Sequence, residues 1–180
     1  GAFKAEETLA DATVTRAQSW LDEADPTTPQ LWWVHFIDPH EPVTCPDPYP
    51  KSYVGEVEFV DEWIGKLLAR WDERIGLDET LLVITADHGE DLNSHGIERG
   101  HGTQFLTNLH VPLLIRSPEH ITPGTVVSEL TRQTDVLPTI LDYRGLPMPY
   151  NVEGMSLRGL IEGTEAGLRL VHHGHFIHDT

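Results

Sequence analysis

Two short polar clusters carry the residue types that metal and phosphoryl-type chemistry needs. Asp38-Pro39-His40-Glu41-Pro42 sets two carboxylates and an imidazole inside a proline-bracketed turn. Asp87-His88-Gly89-Glu90 offers the same set, and His95 and His101 follow among glycines. Carboxylate oxygen and imidazole nitrogen are the donors that hold a divalent cation, and histidine is the side chain that gives or takes a proton near neutrality. Asp87 and His88 form the sharpest pair. Neighbouring strand residues point to opposite faces, but at a strand end, with Gly89 free to take positive φ, both side chains can turn toward one ion. A turn capped by Asp87 with a solvated His88 is the competing reading. For His40 the alternative is a rigid surface bend made by Pro39 and Pro42. His101, between Gly100 and Gly102, either approaches a ligand closely or marks a loop tip.

The remaining reactive side chains lead away from catalysis. Cys45 lies in Cys45-Pro46-Asp47-Pro48 with its first cation at Lys51, so nothing nearby activates the thiol and a structural role is expected. His35 sits inside an apolar run, where a satisfied core or supporting histidine is the ordinary outcome. His172, His173, His175 and His178 could gather a metal adventitiously, but a strand and frayed tail suit them better. The sequence has no P-loop, no Gly-x-Ser-x-Gly elbow and no His-Glu-x-x-His helix.

Both clusters follow apolar runs of strand length, residues 31–37 and 80–86, and residues 111–116 form a third such run. Between them, apolar residues recur at helical spacing over 6–23 and, through Tyr53, Val57, Val60, Ile64, Leu67, Leu68 and Trp71, over 53–71. Residues 88–110 read as a long loop or a short helix within loops. Short helices are expected over 134–141, entered through an Asp or Thr cap and closed at Gly145, and over 155–161. Strand and helix alternate, which predicts an α/β layer structure with a largely parallel sheet. In such sheets ligands bind outside the carboxyl ends of the strands, where the two clusters would lie.

Length and charge bound the function. At 180 residues the chain suffices for one domain with a real core, and no composition break suggests two. Twelve Lys and Arg against 29 Asp and Glu give a net charge of −17, which repels nucleic acid phosphates and anionic lipid. Scarce lysine with excess acid suits solubility at high salt, although an acidic face is equally generic. One cysteine excludes an internal disulfide and a cysteine zinc cage. No apolar stretch approaches the length of a membrane span, and the absence of an initiator Met leaves room for an upstream segment.

In consistent order over about residues 15–163, the 31–42 run with its Asp-Pro-His-Glu-Pro ending, the 53–71 helix, the 81–90 run ending Asp87-His88-Gly89-Glu90, Gly100-His101-Gly102, Val111-Pro112-Leu113-Leu114-Ile115 and Asp135-Val136-Leu137-Pro138-Thr139 resemble the C-terminal part of a sulfatase domain. Sulfatases belong to the alkaline phosphatase superfamily. The resemblance implies an alkaline-phosphatase-like three-layer α/β/α sandwich with a mostly parallel sheet, of which residues 1–180 are a partial catalytic domain. It implies that Asp87 and His88 are metal ligands. The ion would be calcium first, as is common in sulfatases, with zinc or manganese as alternatives because a His88 nitrogen is unusual for so hard an ion. It implies that His40 stands near the ester oxygen and helps the alcohol leave. His101 falls where many arylsulfatases carry a sulfate-contacting lysine. The nucleophile, a cysteine converted to formylglycine or a Ser/Thr in phosphatase relatives, is expected upstream, so that this chain alone would be inactive and bind metal weakly.

The expected substrate is therefore a sulfated small molecule or carbohydrate, with no nucleic acid partner. Histidines at 88 and 101 keep a phosphodiesterase, phosphonate hydrolase or phosphoethanolamine transferase in play, and a non-catalytic metal-binding or interaction module is the alternative from another class. All enzymatic readings require the turn of His40 and the turn of Asp87 and His88 to face one anion pocket.

Overall fold

A computed structural model describes residues 8–40, 42–96 and 104–165. The chain divides into two compact units, Gly1–Leu77 and Asp78–Thr180. Helix α1 (Ala10–Glu23) turns Ala10, Val14, Ala17 and Leu21 into one buried stripe, as a period of about 3.6 residues requires. Trp20, apolar by type, falls off that stripe and is 61% exposed. Helix α2 (Tyr53–Arg74) starts where the Ser52 hydroxyl accepts the Gly55 N–H at 3.2 Å. Phe59, Val60 and Leu67 are buried along α2, with Trp63 and Ile64 packed beside them. Full burial of a side chain such as Phe59 or Leu21 stabilises by about 1.5–3 kcal/mol. Arg70 joins the two helices, donating to Asp22 Oδ1 from Nε at 2.9 Å and Nη2 at 2.5 Å.

One side of α2 departs from its sequence pattern. Periodicity puts Val57 on the core face and Glu56 among the polar residues, yet Val57 is 41% exposed and Glu56 fully buried. The loop between residues 42 and 52 folds over α2, and its Thr44 N–H donates to Glu56 Oε1 at 2.8 Å. The carboxylate reaching up from the helix gives that loop N–H its acceptor, and a helix wheel has no place for such a partner. Cys45 is buried under the same loop beside Phe59 and Val60, with its thiol donating to the Pro50 carbonyl at 3.2 Å, the structural role expected of it.

Residues 31–37 keep the alternation of a strand without pairing as one. Trp32, Val34 and Phe36 pack against the helices, while Leu31 and Trp33 are 88% and 89% exposed. The expected buried strand is thus buried on one face only. A strand is defined by ladder hydrogen bonds to a neighbour, and among the described residues the only sheet lies in the second unit. His35, expected in the core, alternates outward with Trp33 and is exposed.

In the second unit β1 (Leu82–Thr85) pairs with β2 (Leu113–Arg116) in the register Leu82↔Arg116 to Thr85↔Leu113. The pair is antiparallel, where a largely parallel sheet is expected from the sequence: the intervening segment, with α3 (Leu106–Leu109), brings the chain back alongside β1 in the opposite direction. A 3-10 turn, Gln133–Asp135, leads into α4 (Val136–Tyr143), and α5 (Arg158–Ile161) is far shorter than the helix expected over 155–161. Gly145 follows α4 at φ +61°, closing it as expected.

Asp135 is the hub of this unit. Its buried carboxylate accepts the Arg132 N–H, the Arg132 guanidinium and the Met155 N–H, each at 2.9 Å. Thr139 continues the network, donating to the Asp135 carbonyl at 2.6 Å and accepting the Leu157 N–H at 2.9 Å. Among the described residues no helix is long and apolar enough to cross a membrane.

Candidate active site

Strand β1 delivers Asp87 and His88 at its carboxyl end, and the turn they occupy is fixed from several sides. The side-chain amide of Gln133 donates to the carbonyls of Ala86 at 2.6 Å and Asp87 at 2.7 Å. Just beyond the pair, the Gly89 N–H donates to the Asn108 carbonyl at 2.8 Å. A Cβ on Gly89 would stand 2.0 Å from the Thr107 carbonyl oxygen. Glycine is therefore required here for close backbone approach to α3. The positive φ expected of Gly89 is absent.

Within the turn, Asp87 Oδ1 accepts the His88 N–H at 3.0 Å. His88 Nδ1 lies 2.9 Å from the Gly89 carbonyl, an atom that only accepts, so Nδ1 donates, and in the neutral ring Nε2 is the nitrogen that has a lone pair. Nε2 stands 3.8 Å from Asp87 Oδ2. A metal-ligating histidine commonly donates its other ring N–H to a carbonyl in this way, and bond lengths of about 2.0–2.5 Å let one cation span such a nitrogen–oxygen pair. The Asp87 carboxylate is 75% exposed and so open to a ligand. The two residues fit a divalent cation. Among the described residues no cluster of three or more His, Cys, Asp or Glu completes a coordination shell.

Asp91, which sequence reasoning passed over, organises the following loop. Its fully buried carboxylate accepts the Ser94 N–H at 2.9 Å, the Ser94 hydroxyl at 2.8 Å and His95 Nδ1 at 2.7 Å. Burial pushes the Asp91 carboxyl up, but the hydrogen bonds from Ser94 and His95 outweigh it and hold the group below its ordinary value. The His95 ring stacks on Phe105 at 3.8 Å between centroids. An acid three to four residues ahead of Ser and His is the signal that could have found this turn.

His40 is carried by the first unit. It is half-buried and follows the cis Asp38–Pro39 peptide. Asp38, two residues earlier, is 6% exposed and neither of its oxygens completes a hydrogen bond. Burial pushes the Asp38 carboxyl up; its own N–H and that of Ala10 pull partly back, and the nearby Glu56 charge pushes it further. A cleft of about 190 Å³ in this unit is lined by Arg16, Trp20, Trp32, Trp33 and His35, and does not include His40. Glu41, His101 and the histidines from His172 onward lie outside the described residues.

The sulfatase family model matches residues 2–146. The N-acetylglucosamine-6-O-sulfatase of Bacteroides thetaiotaomicron is 37% identical over 117 residues, which is 63% of this chain and 20% of that protein. The solved complex of BT4656 with its substrate D-glucosamine-2-N,6-O-disulfate superposes with a TM-score of 0.66 at 30% identity, over 72% of this chain and 27% of the other. The phosphonate monoester hydrolase SpPMH from Silicibacter pomeroyi gives a TM-score of 0.58 at 42% identity, over 64% of this chain and 22% of its own. The chain thus spans between 20% and 27% of the length of these relatives. Its helices and small sheet are part of the alkaline-phosphatase-like α/β fold of the solved relatives. The chain belongs to the sulfatase family.

Proposed function

We propose that residues 1–180 are part of the catalytic domain of a sulfuric ester hydrolase acting on a sulfated carbohydrate. The observation that carries this reading is the His88 ring, whose Nδ1–H is committed to the Gly89 carbonyl while Nε2 stands 3.8 Å from Asp87 Oδ2. Family membership and the sulfated glucosamine bound by a solved relative support the substrate class. Members of this superfamily generally use divalent metals. Asp87 and His88 would hold the ion, calcium by the family's habit, or manganese or zinc by the nitrogen donor.

Sulfuryl transfer builds negative charge on the leaving and equatorial oxygens, and a bound cation withdraws part of it. This chain's own side chains supply the rest. Asp87 and His88 fix the charge centre, His40 gives its proton to the departing alcohol oxygen, and His101 donates an N–H to the sulfuryl group. The attacking nucleophile comes from residues outside this chain. The test is sulfate release from glucosamine 6-sulfate by the full-length polypeptide that carries this sequence. Asp87→Ala and His40→Ala should each lower kcat by about 100-fold or more, and unchanged turnover in both removes the assignment.

Phosphoryl or phosphonate ester hydrolysis is the second reading, favoured by the likeness to a phosphonate monoester hydrolase. Turnover of a phosphonate monoester exceeding that of the sulfate ester would select it. Tight binding of one cation by this chain alone, without hydrolysis in the full-length polypeptide, would select a non-catalytic metal-binding module.

A further inference from the structure

We infer that Gln133 is a positioning residue for the Asp87–His88 pair, a role that rests on the metal-ligand reading above. The carbonyls of Ala86 and Asp87 belong to the two peptide planes that flank the Asp87 Cα. Fixing the direction of both planes fixes φ and ψ of Asp87, and with them the direction of its Cα–Cβ bond and the starting point of His88. A primary amide has two N–H donors on one nitrogen, and Gln133 directs both to these carbonyls, at 2.6 and 2.7 Å.

The arm is itself anchored. Gln133 begins the 3-10 turn that ends at Asp135, and the buried Asp135 carboxylate ties that turn to Arg132 and Met155. A buried hub, a two-pronged side chain and two backbone carbonyls thus form one physical chain ending at the backbone of Asp87. This gives the Asp135-Val136-Leu137-Pro138-Thr139 segment a purpose beyond packing: it carries the support for a turn 46 residues earlier in sequence. A supporting residue of this kind typically alters metal affinity by about 10–100-fold when removed.

The test uses Gln133→Glu, equal in size but unable to donate to both carbonyls, and Gln133→Met, equal in length and uncharged. In the full-length polypeptide that carries this sequence, Mn²⁺ alone is titrated against the His88 ring-proton resonances, which a paramagnetic ion broadens. Without metal, the three-bond amide–α-proton couplings of Asp87 and His88 read φ directly, while the Met155 amide reports on the Asp135 hub. Expected are Mn²⁺ binding weakened about tenfold and couplings averaged in both variants, with the Met155 amide unmoved. Equal Mn²⁺ affinity in wild type and variants overturns the inference and leaves the metal reading intact. If the wild type shows no broadening at His88 at all, the metal reading falls, and unmoved couplings in the variants then overturn the positioning role separately.

Discussion

Asp38 and Asp91 are both buried aspartates beside candidate catalytic turns, one in each unit, and the chain treats them in opposite ways. Asp91 collects donors from Ser94 and His95, and these hold its carboxyl below its ordinary value in spite of burial. Asp38 completes no hydrogen bond, and burial pushes it up. In the second unit the bonds of Gln133 and Gly89 hold the turn that carries Asp87 and His88, Asp135 ties down the 3-10 turn of Gln133, and Asp91 organises the loop that follows. In the first unit the turn of His40 retains, at Asp38, a carboxyl whose ionised form is poorly accommodated. Polar over-determination suits the cation-holding role proposed for Asp87 and His88.

The comparison predicts that breaking polar anchors costs most in the second unit. Asp135→Ala removes three hydrogen bonds, one of them to a guanidinium, and should destabilise that unit by about 3 kcal/mol in urea unfolding. A loss under 1 kcal/mol would mean that the hub is dispensable. Next in size, Gly89→Ala forces a Cβ onto the Thr107 carbonyl, and Gly55→Ala does the same at Pro50, where the gap is 1.9 Å. Each should cost about 2 kcal/mol. Only the Gly89 change should also weaken Mn²⁺ binding, and equal effects of both on binding would erase the contrast between the units.

The two aspartates should also respond oppositely to pH. Asp38→Asn should stabilise by about 1 kcal/mol at neutral pH. Because the folded state raises the Asp38 carboxyl, wild type loses stability as pH rises through that raised value, so the advantage of the variant closes on acidification. Asp91 and Asp135 are lowered on folding. Their contribution is complete above the ordinary carboxylate range and disappears as pH falls through their depressed values. Stability profiles of Asp38→Asn and wild type that run parallel from pH 7 to acid would contradict this assignment. The smallest effect is expected at Lys66→Ala, which removes an exposed ion pair with Glu62 at 2.7 Å and should shift unfolding by no more than about 0.5 kcal/mol.

Much of the local structure was legible in the residues. Helical periodicity located α1 and α2, and the apolar runs located β1 and β2, because side-chain burial repeats with the geometry of the backbone. Asp87 and His88 stood out because both residue types at a strand end suit one ion. Glu56 was misplaced because a helix wheel knows nothing of a loop arriving from Thr44. Asp91 and Gln133 escaped notice because their importance lies in what they bond to, and a single Asp or Gln carries no periodic signal.

Sequence by itself determined α1, α2, β1 and β2, the net negative charge and the chemistry on offer at two turns, since these follow from residue type and from spacing along one backbone. Tertiary structure alone decided which proton the His88 ring carries, why Gly89 is glycine, and that a glutamine from residue 133 steadies Asp87. Those properties are set by carbonyls brought close through folding. A hydrogen bond extends only about 3 Å, a distance to which sequence separation is blind.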